Sequence, residues 1–77
     1  MRHELKIERD HFDKIMSGEK TCEIRLNDRD YKVGDILHLR AIRKDGSYWG
    51  IVCDRGISHV LKDFEGLAEG YVALSLR

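Results

Sequence analysis

Four polar side chains that could do chemistry together lie within six residues of the sequence: Lys20, Thr21, Glu23 and Arg25. On a β-strand, Thr21, Glu23 and Arg25 would share one face, with about 7 Å between alternate residues. Lys20 would lie at the entrance of that strand. Arg25 could hold a phosphate or carboxylate in a fork, and Lys20 could add a point charge. Glu23 could accept a hydrogen bond from an exocyclic amine or act as a general base.

The same spacing also fits an ordinary solvent-exposed strand. Glu23 and Arg25 could pair with each other on a wet sheet face, which is worth under about 1 kcal/mol. Thr21 is β-branched and suits a strand for that reason alone. Because charge clusters mark functional sites only statistically, the spacing alone favours this structural interpretation over a binding site.

A second polar cluster follows at Asn27, Asp28 and Arg29. Asn and Asp make turns by bonding their own backbone, so a turn is the favoured interpretation for the first two residues. Arg29 has no such structural role and could reach the site or a phosphate. Asp35 lies at a Gly-Asp turn and is interpreted as structural.

Metal and cofactor chemistry is not indicated. The four histidines show no metal-ligand spacing, and neither cysteine lies beside one, so we expect no metal and no cofactor. His3 is interpreted as a satisfied, partly buried histidine, with a role in the cleft as the second interpretation. Cys22 and Cys53 form no CxxC pair, and two free thiols in a reducing cytoplasm are expected. The chain has neither a Ser-His-Asp order nor a glycine-rich phosphate loop.

The elements that must position these residues follow from hydrophobic periodicity. Alternation of apolar and polar residues predicts strands over about 2–8, 21–26, 36–43, 48–54 with a continuation past Gly56, and 71–76. Asp45-Gly46 predicts a hairpin loop, and Gly56 predicts a bulge or bend. Residues 63–70 are expected to form a loop with at most one helical turn. Of the aromatic residues, Trp49 is assigned to the core, while Tyr48 and Tyr71 face outward and are candidates for stacking.

One short helix is predicted at about residues 11–17. Asp10 can cap its N-terminus, and Gly18 is a natural left-handed stop. Phe12, Ile15 and Met16 are spaced as a buried stripe. Five or six short strands and one helix, joined by tight turns, predict a mainly β (α+β) fold built as a small closed or half-closed barrel.

Length and composition limit the functional classes. The 77 residues make a single domain, residues 1–77, with a modest core, so a surface cleft is more plausible than a wide internal cavity. No apolar run could span a membrane, and residues 1–18 do not resemble a secretory signal. The 14 basic and 14 acidic residues argue against a strongly basic nucleic-acid binder, although residues 36–62 hold five basic and two acidic residues. A monomer is favoured.

Most of the chain resembles a family of small bacterial and phage proteins, DUF3850, within the ASCH group of PUA-like domains. The stretch from Gly18 to Asp35 is the most specific part of the resemblance. Other segments that carry it are residues 3–7, 12–18 and 70–72. The resemblance implies a twisted PUA-like β-barrel, a helix over one opening, and a cleft whose floor includes the Lys-Thr-x-Glu-x-Arg strand.

The resemblance also implies a set of possible functions. Relatives in the ASCH group are proposed to bind RNA, and a few are similar to ribonucleases or to amidohydrolases that deacetylate N4-acetylcytidine. In the amidohydrolase pattern a threonine follows the lysine by three positions. Here Glu23 takes that place after Lys20, which shifts the expectation from catalysis to binding.

Three functions are therefore expected, in order. The first is an RNA- or nucleotide-binding module whose cleft contains Lys20, Thr21, Glu23 and Arg25, with Arg29, Arg40 and Arg43 meeting phosphates. The second is a small hydrolase in the same cleft, with Glu23 as base and Lys20 as activator. The third is a protein-interaction module that uses an exposed strand edge.

Overall fold

A computed structural model describes all 77 residues of the protein. The chain forms five strands and one helix. In chain order they are β1 (Arg2–Glu8), α1 (Arg9–Ser17), β2 (Cys22–Leu26), β3 (Ile36–Ile42), β4 (Tyr48–Leu61) and β5 (Tyr71–Leu76). The mainly β fold with one short helix is therefore confirmed. The loop over residues 63–70 contains turns and no helix, so the helical turn allowed there is absent.

The five strands form one mixed sheet in the order β1-β3-β4-β5-β2. β1 pairs parallel to β3, and the other neighbours are antiparallel. No backbone ladder joins β1 to β2, so the predicted barrel is not closed by strand pairing. β4 supplies the curvature, because it pairs with β3 as far as Gly56 and with β5 from Ile57 onward, with a register shift just after Ile57. The irregularity predicted near Gly56 is thus confirmed as the place where β4 changes partner.

Strict alternation along β1, β3 and β5 builds the core. Each of these strands buries every second side chain, and three of the resulting core leucines have no solvent exposure: Leu37, Leu39 and Leu74. Fully burying a side chain of this size stabilises the fold by roughly 1.5–3 kcal/mol. The inward faces predicted for these three strands are confirmed.

The helix α1 covers one end of this core. Phe12 and Ile15 are buried as predicted, but Met16 is 53% exposed, because a nine-residue helix at the sheet margin buries only a narrow stripe. The helix begins at Arg9, so Asp10 lies in the first turn and is not the cap; Glu8 holds that position without a side-chain cap hydrogen bond. Gly18 ends the helix at φ 84°, as predicted. No helix in the protein has the length and apolar content needed to cross a membrane.

The inward face of β2 is opposite to what its hydrophobicity predicts. Glu23 is buried, whereas Ile24 is 58% exposed and Leu26 is also exposed. Glu23 and Arg25 do pair with each other, as the structural interpretation of this strand predicts, but Glu23 is buried and the face is not the solvated sheet surface expected for that pair. The physical reason is that β2 is an edge strand whose inner side borders the unpaired gap toward β1, so the polar residues face an open cleft and not a packed core.

Trp49 is also misplaced by the sequence pattern, because it is 43% exposed and not in the core. The β3–β4 register shifts between Arg40, which faces Val52, and Ile42, which faces Tyr48. Gly50 lies inside this irregularity at φ 85°, a left-handed conformation that glycine adopts without strain. The extra residues interrupt the alternation of side chains between Trp49 and Ile51. The two residues are two positions apart in the sequence, but they no longer point to the same face of the sheet.

Asp35 organises the junction before β3. Its carboxylate contacts His3 Nε2 at 2.8 Å and accepts hydrogen bonds from the Met1 amine at 3.0 Å and the Lys32 backbone N–H at 3.1 Å. His3 is buried and stacks edge-on against Tyr31, with ring centroids 4.8 Å apart. The structural interpretations of Asp35 and of His3 as a satisfied buried histidine are confirmed.

This network predicts acid sensitivity. The hydrogen bonds from His3 and the Met1 amine lower the pKa of Asp35 from 3.8 to about 2. A carboxyl group with a lowered pKa contributes stability that is present above its ordinary pKa and is lost as the pH falls toward the folded value. We therefore expect urea unfolding to show stability falling between about pH 4 and pH 2. Asp35→Asn should lower stability at pH 7 and flatten this dependence. Asp28→Asn, at an exposed site, is the control, and an unchanged slope in Asp35→Asn would contradict the assignment.

Candidate functional site

A cleft of about 530 Å³ opens where β1 and β2 fail to pair. Lys6 and Ile7 of β1 form one wall, and Ile24 and Arg25 of β2 form the other. α1 connects the two walls, and β3 reaches the cleft with Ile42, at the end of that strand. Each wall is fixed from its far side, because β1 pairs with β3 and β2 pairs with β5. The gap is therefore built into the topology.

Glu23 is the centre of the cleft. Its side chain is 7% exposed and lies between two cations. Oε1 is 3.2 Å from Lys20 Nζ, and Oε2 accepts a hydrogen bond of 2.9 Å from Arg25 Nε. The Lys20 and Arg25 side chains are 25% and 24% exposed, so both cations reach the solvent-filled opening. A buried carboxylate requires such partners, and here they also fix the two cations in place.

Arg25 also ties the two walls together. One of its terminal nitrogens donates a hydrogen bond of 2.9 Å to the backbone carbonyl of Lys6 in β1. It is the one hydrogen bond between the two edge strands. The guanidinium therefore holds its orientation through Glu23 on its own strand and through Lys6 on the opposite wall.

The cleft is lined by three basic side chains and two acidic ones, which are Glu8 and Glu23. Arg25 has five N–H groups and uses two, on Glu23 and Lys6. Lys20 has three and directs one at Glu23. Both oxygens of Glu23 are already engaged by these cations. About five N–H groups on these two cations thus have no protein partner, and a ligand that presents oxygen acceptors would satisfy them.

Two other side chains of the predicted site lie outside the cleft. Thr21 is exposed, and its backbone carbonyl accepts a hydrogen bond from Leu76 N–H. It lines a neighbouring groove of about 280 Å³ beside Gly18 and the chain end, and Lys20 is the one residue that this groove shares with the cleft. Arg29 is exposed, makes no hydrogen bond or ion pair, and does not line the cleft. The structure therefore brings Lys20, Glu23 and Arg25 together without Thr21 or Arg29.

The turn after β2 is held by a side-chain hydrogen bond. Asn27 Oδ1 accepts a hydrogen bond from the Tyr31 backbone N–H, which confirms the turn role of Asn27. Tyr31 is buried, and this burial raises the pKa of its phenol. The phenol therefore stays neutral and serves as packing, not as an acid or base in the cleft.

The sequence did not indicate three polar cleft residues. Lys6 and Glu8 are on the solvent-facing side of the alternation in β1, where charged residues are expected in any case. His11 lies in the first turn of α1. No spacing links them to Lys20, because only the unpaired gap brings β1 beside β2. No group of three or more His, Cys, Asp or Glu side chains lies close enough to hold a metal ion.

Comparison with known proteins identifies the family of the chain. The family model described as "Domain of unknown function (DUF3850)" matches residues 2–76. The chain belongs to the DUF3850 family. The match covers every strand and the helix, so both walls of the cleft lie within the DUF3850 domain.

A phage relative extends the comparison. The "Uncharacterized 12.9 kDa protein in GpA 3'region" of Escherichia phage P2 is 35% identical over 72 residues, which is 94% of this chain. This DUF3850 chain covers 64% of the length of the phage protein, so the phage protein contains sequence beyond the domain described above.

Proposed function

We propose that this DUF3850 domain binds RNA or a nucleotide-like ligand in the cleft between β1 and β2. Lys20 and Arg25 are the donors, and Glu23 is the residue that orients them. The unpaired N–H donors on these two cleft cations carry the proposal, because phosphate oxygens and base carbonyls are the acceptors that such donors bind. Arginine in particular recognises phosphate through its planar fork.

The rest of the cleft suits the other parts of a nucleotide. Ile7, Ile24 and Ile42 contribute apolar surface beside the cations. The volume of about 530 Å³ is in the range of roughly 300–1,000 Å³ typical of small-ligand sites. Apolar walls with a few fixed polar groups are the usual composition of such sites, and a base or ribose could pack on the isoleucines while its phosphate meets the cations.

The fold is consistent with the same proposal. We infer that the curled sheet is a half-closed barrel of the PUA-like type. Its two edge strands approach each other across the Arg25–Lys6 hydrogen bond without forming a ladder, and α1 lies at one end of the gap. In this arrangement the opening of the barrel and the ligand cleft are the same feature.

An NMR titration tests the proposal. We expect uridine or cytidine monophosphate at low salt to shift the resonances of Lys20, Glu23 and Arg25, and free nucleosides to bind more weakly because they lack the phosphate. Lys20→Met should weaken nucleotide binding about tenfold, as loss of a charge-assisted contact implies. Added salt should also weaken it, although modestly, because few phosphates are contacted.

Arg29→Gln is the matched control for this titration. Arg29 carries the same charge as the cleft cations but lies outside the cleft, so its loss should leave the affinity unchanged. Absence of resonance shifts with every nucleotide at low salt would rule out the proposal. Equal losses in Lys20→Met and Arg29→Gln would place binding on general surface charge and not in the cleft.

A small hydrolase in the same cleft is the second candidate. The observation in its favour is the contact of 3.2 Å between Lys20 Nζ and Glu23 Oε1, a carboxylate beside an ammonium that could share proton transfer. Turnover of RNA or of an acetylated nucleoside, lost in Glu23→Gln while binding persists, would replace the binding proposal with this one.

A further inference from the structure

A second groove continues the cleft along the sheet. It encloses about 660 Å³ and shares Glu8 and Ile42 with the first cleft, so the two are adjoining parts of one depression. In the sheet register Glu8 faces Ile42, and Ile42 faces Tyr48. The shared residues thus lead from the gap at β1 across β3 to the start of β4, where Trp49 lines the second groove.

Trp49 is a half-exposed aromatic ring in this groove, with two guanidinium groups over it. The central guanidinium carbons of Arg43 and Arg9 lie 4.3 Å and 5.0 Å from the centroid of its ring. Trp49 is 43% exposed, although its parity with Ile51 and Cys53 predicted a core position. Gly50, with its left-handed backbone, takes Trp49 out of the strand alternation. One aromatic ring therefore holds two positive charges at a solvent-accessible surface.

The charges of the whole depression favour an anionic ligand. The two grooves together are lined by six basic and three acidic residues. The protein has 14 of each, so the remainder of the molecule holds eight basic and eleven acidic residues. A neutral protein thus concentrates its positive charge along this depression, which draws anions toward it.

We propose that the Trp49 groove is a second subsite that stacks one base of a single-stranded nucleic acid while the adjoining nucleotide occupies the first cleft. Bases stack on aromatic rings and on arginine guanidinium planes, and Trp49, Arg9 and Arg43 present both surfaces in one place. Lys44 lies in the same groove and meets the backbone phosphate. This proposal rests on the proposed function and narrows its ligand to a chain of two or more nucleotides.

Trp49 is the one tryptophan of the chain, so its fluorescence reports on this subsite alone. We expect uridine monophosphate to fill the first cleft with little change in fluorescence. The dinucleotide UpU and a short oligouridine should quench Trp49. Stacking of one further base should make them bind about tenfold or more tightly than the mononucleotide.

Variants separate stacking from folding. Trp49→Ala should lower the affinity for UpU about tenfold, measured by NMR or calorimetry, and leave mononucleotide binding unchanged. Trp49→Phe keeps an aromatic face and should retain most of the affinity and the fold. Tyr71→Ala is the control, because Tyr71 is an exposed aromatic residue that lines neither groove.

The outcomes distinguish this proposal from the one on which it rests. If uridine monophosphate binds the cleft but UpU binds no more tightly and leaves the fluorescence unchanged, the second subsite is refuted and the proposed function stands. If no nucleotide binds, both fail. Quenching of Trp49 by UpU without shifts at Lys20 or Arg25 would refute the continuity of the two grooves.

Discussion

Replacing Arg25 with glutamine is expected to weaken nucleotide binding at least about tenfold and to destabilise the fold by about 1–3 kcal/mol. The variant removes the guanidinium group, which holds three of the about five unpaired N–H donors on Lys20 and Arg25. It also breaks the hydrogen bond to the Lys6 carbonyl and leaves the buried Glu23 with Lys20 as its one cationic partner. A buried carboxylate that loses a partner is costly. Calorimetric titration with uridine monophosphate and urea unfolding measure the two effects.

Arg25→Lys is the matched control for this prediction. It keeps the positive charge but replaces the planar fork with a single ammonium, which cannot contact Glu23 and Lys6 in the same geometry. Intermediate binding is therefore expected, together with a loss of stability similar to that of the glutamine variant. Full binding by the lysine variant would show that charge alone matters and would contradict the fixed-fork model of the cleft.

Replacing Leu39 with alanine is expected to lower the free energy of unfolding by about 2–5 kcal/mol. Leu39 has no solvent exposure and lies in β3, which pairs with strands on both sides. A domain of this length has a total stability of about 4–12 kcal/mol, so the variant is expected to lose a large fraction of it and to unfold at a much lower urea concentration. Urea unfolding followed by circular dichroism measures the loss.

Leu26→Ala is the control, and it also tests the face of β2. The sequence pattern puts Leu26 on the apolar face of β2 with Cys22 and Ile24, which predicts that it is buried. In the structure Leu26 is exposed at the edge of the sheet. Its replacement should cost less than about 1 kcal/mol, as for other surface positions. Equal losses in the two variants would mean that β2 packs with its apolar face inward after all.

Most of the fold could be predicted from the sequence because three strands follow a simple rule. In β1, β3 and β5 the alternate residues that are apolar are also the ones that are buried. Each of these strands has the core on one side and solvent on the other. The end of α1 could likewise be predicted from Gly18 alone, because glycine is the residue that most readily adopts the left-handed conformation that ends a helix. Local physics and tertiary environment agree in these elements.

The sequence failed where tertiary context decided the outcome. Alternation in β2 predicts two faces but cannot say which one borders an open gap, and here the polar face does. Trp49 was assigned to the core from its parity with Ile51, and the irregularity at Gly50 removes that parity. Pairing between distant strands determines both features, and no residue spacing records it.

The candidate site divides in the same way. Lys20, Glu23 and Arg25 could be placed together because they are neighbours on one strand entrance and face. Lys6 and His11 could not, since their contribution depends on β1 lying opposite β2 without pairing to it. Residues from one element are predictable as a group, while residues gathered from unpaired elements are not.

The open gap has a consequence for how the site comes into existence during folding. Nearly all of the first cleft comes from residues 6–25, a short continuous stretch, yet β1 and β2 never pair within it. β1 is supported by β3, and β2 by β5, whose first residue is Tyr71. The residues of the cleft are thus close together in the sequence, but the strands that hold its two walls in place, β3 and β5, are distant in the sequence. We therefore expect the two walls to reach their final separation only after β5 has joined the sheet, and the protein to gain ligand binding together with these slow, long-range contacts.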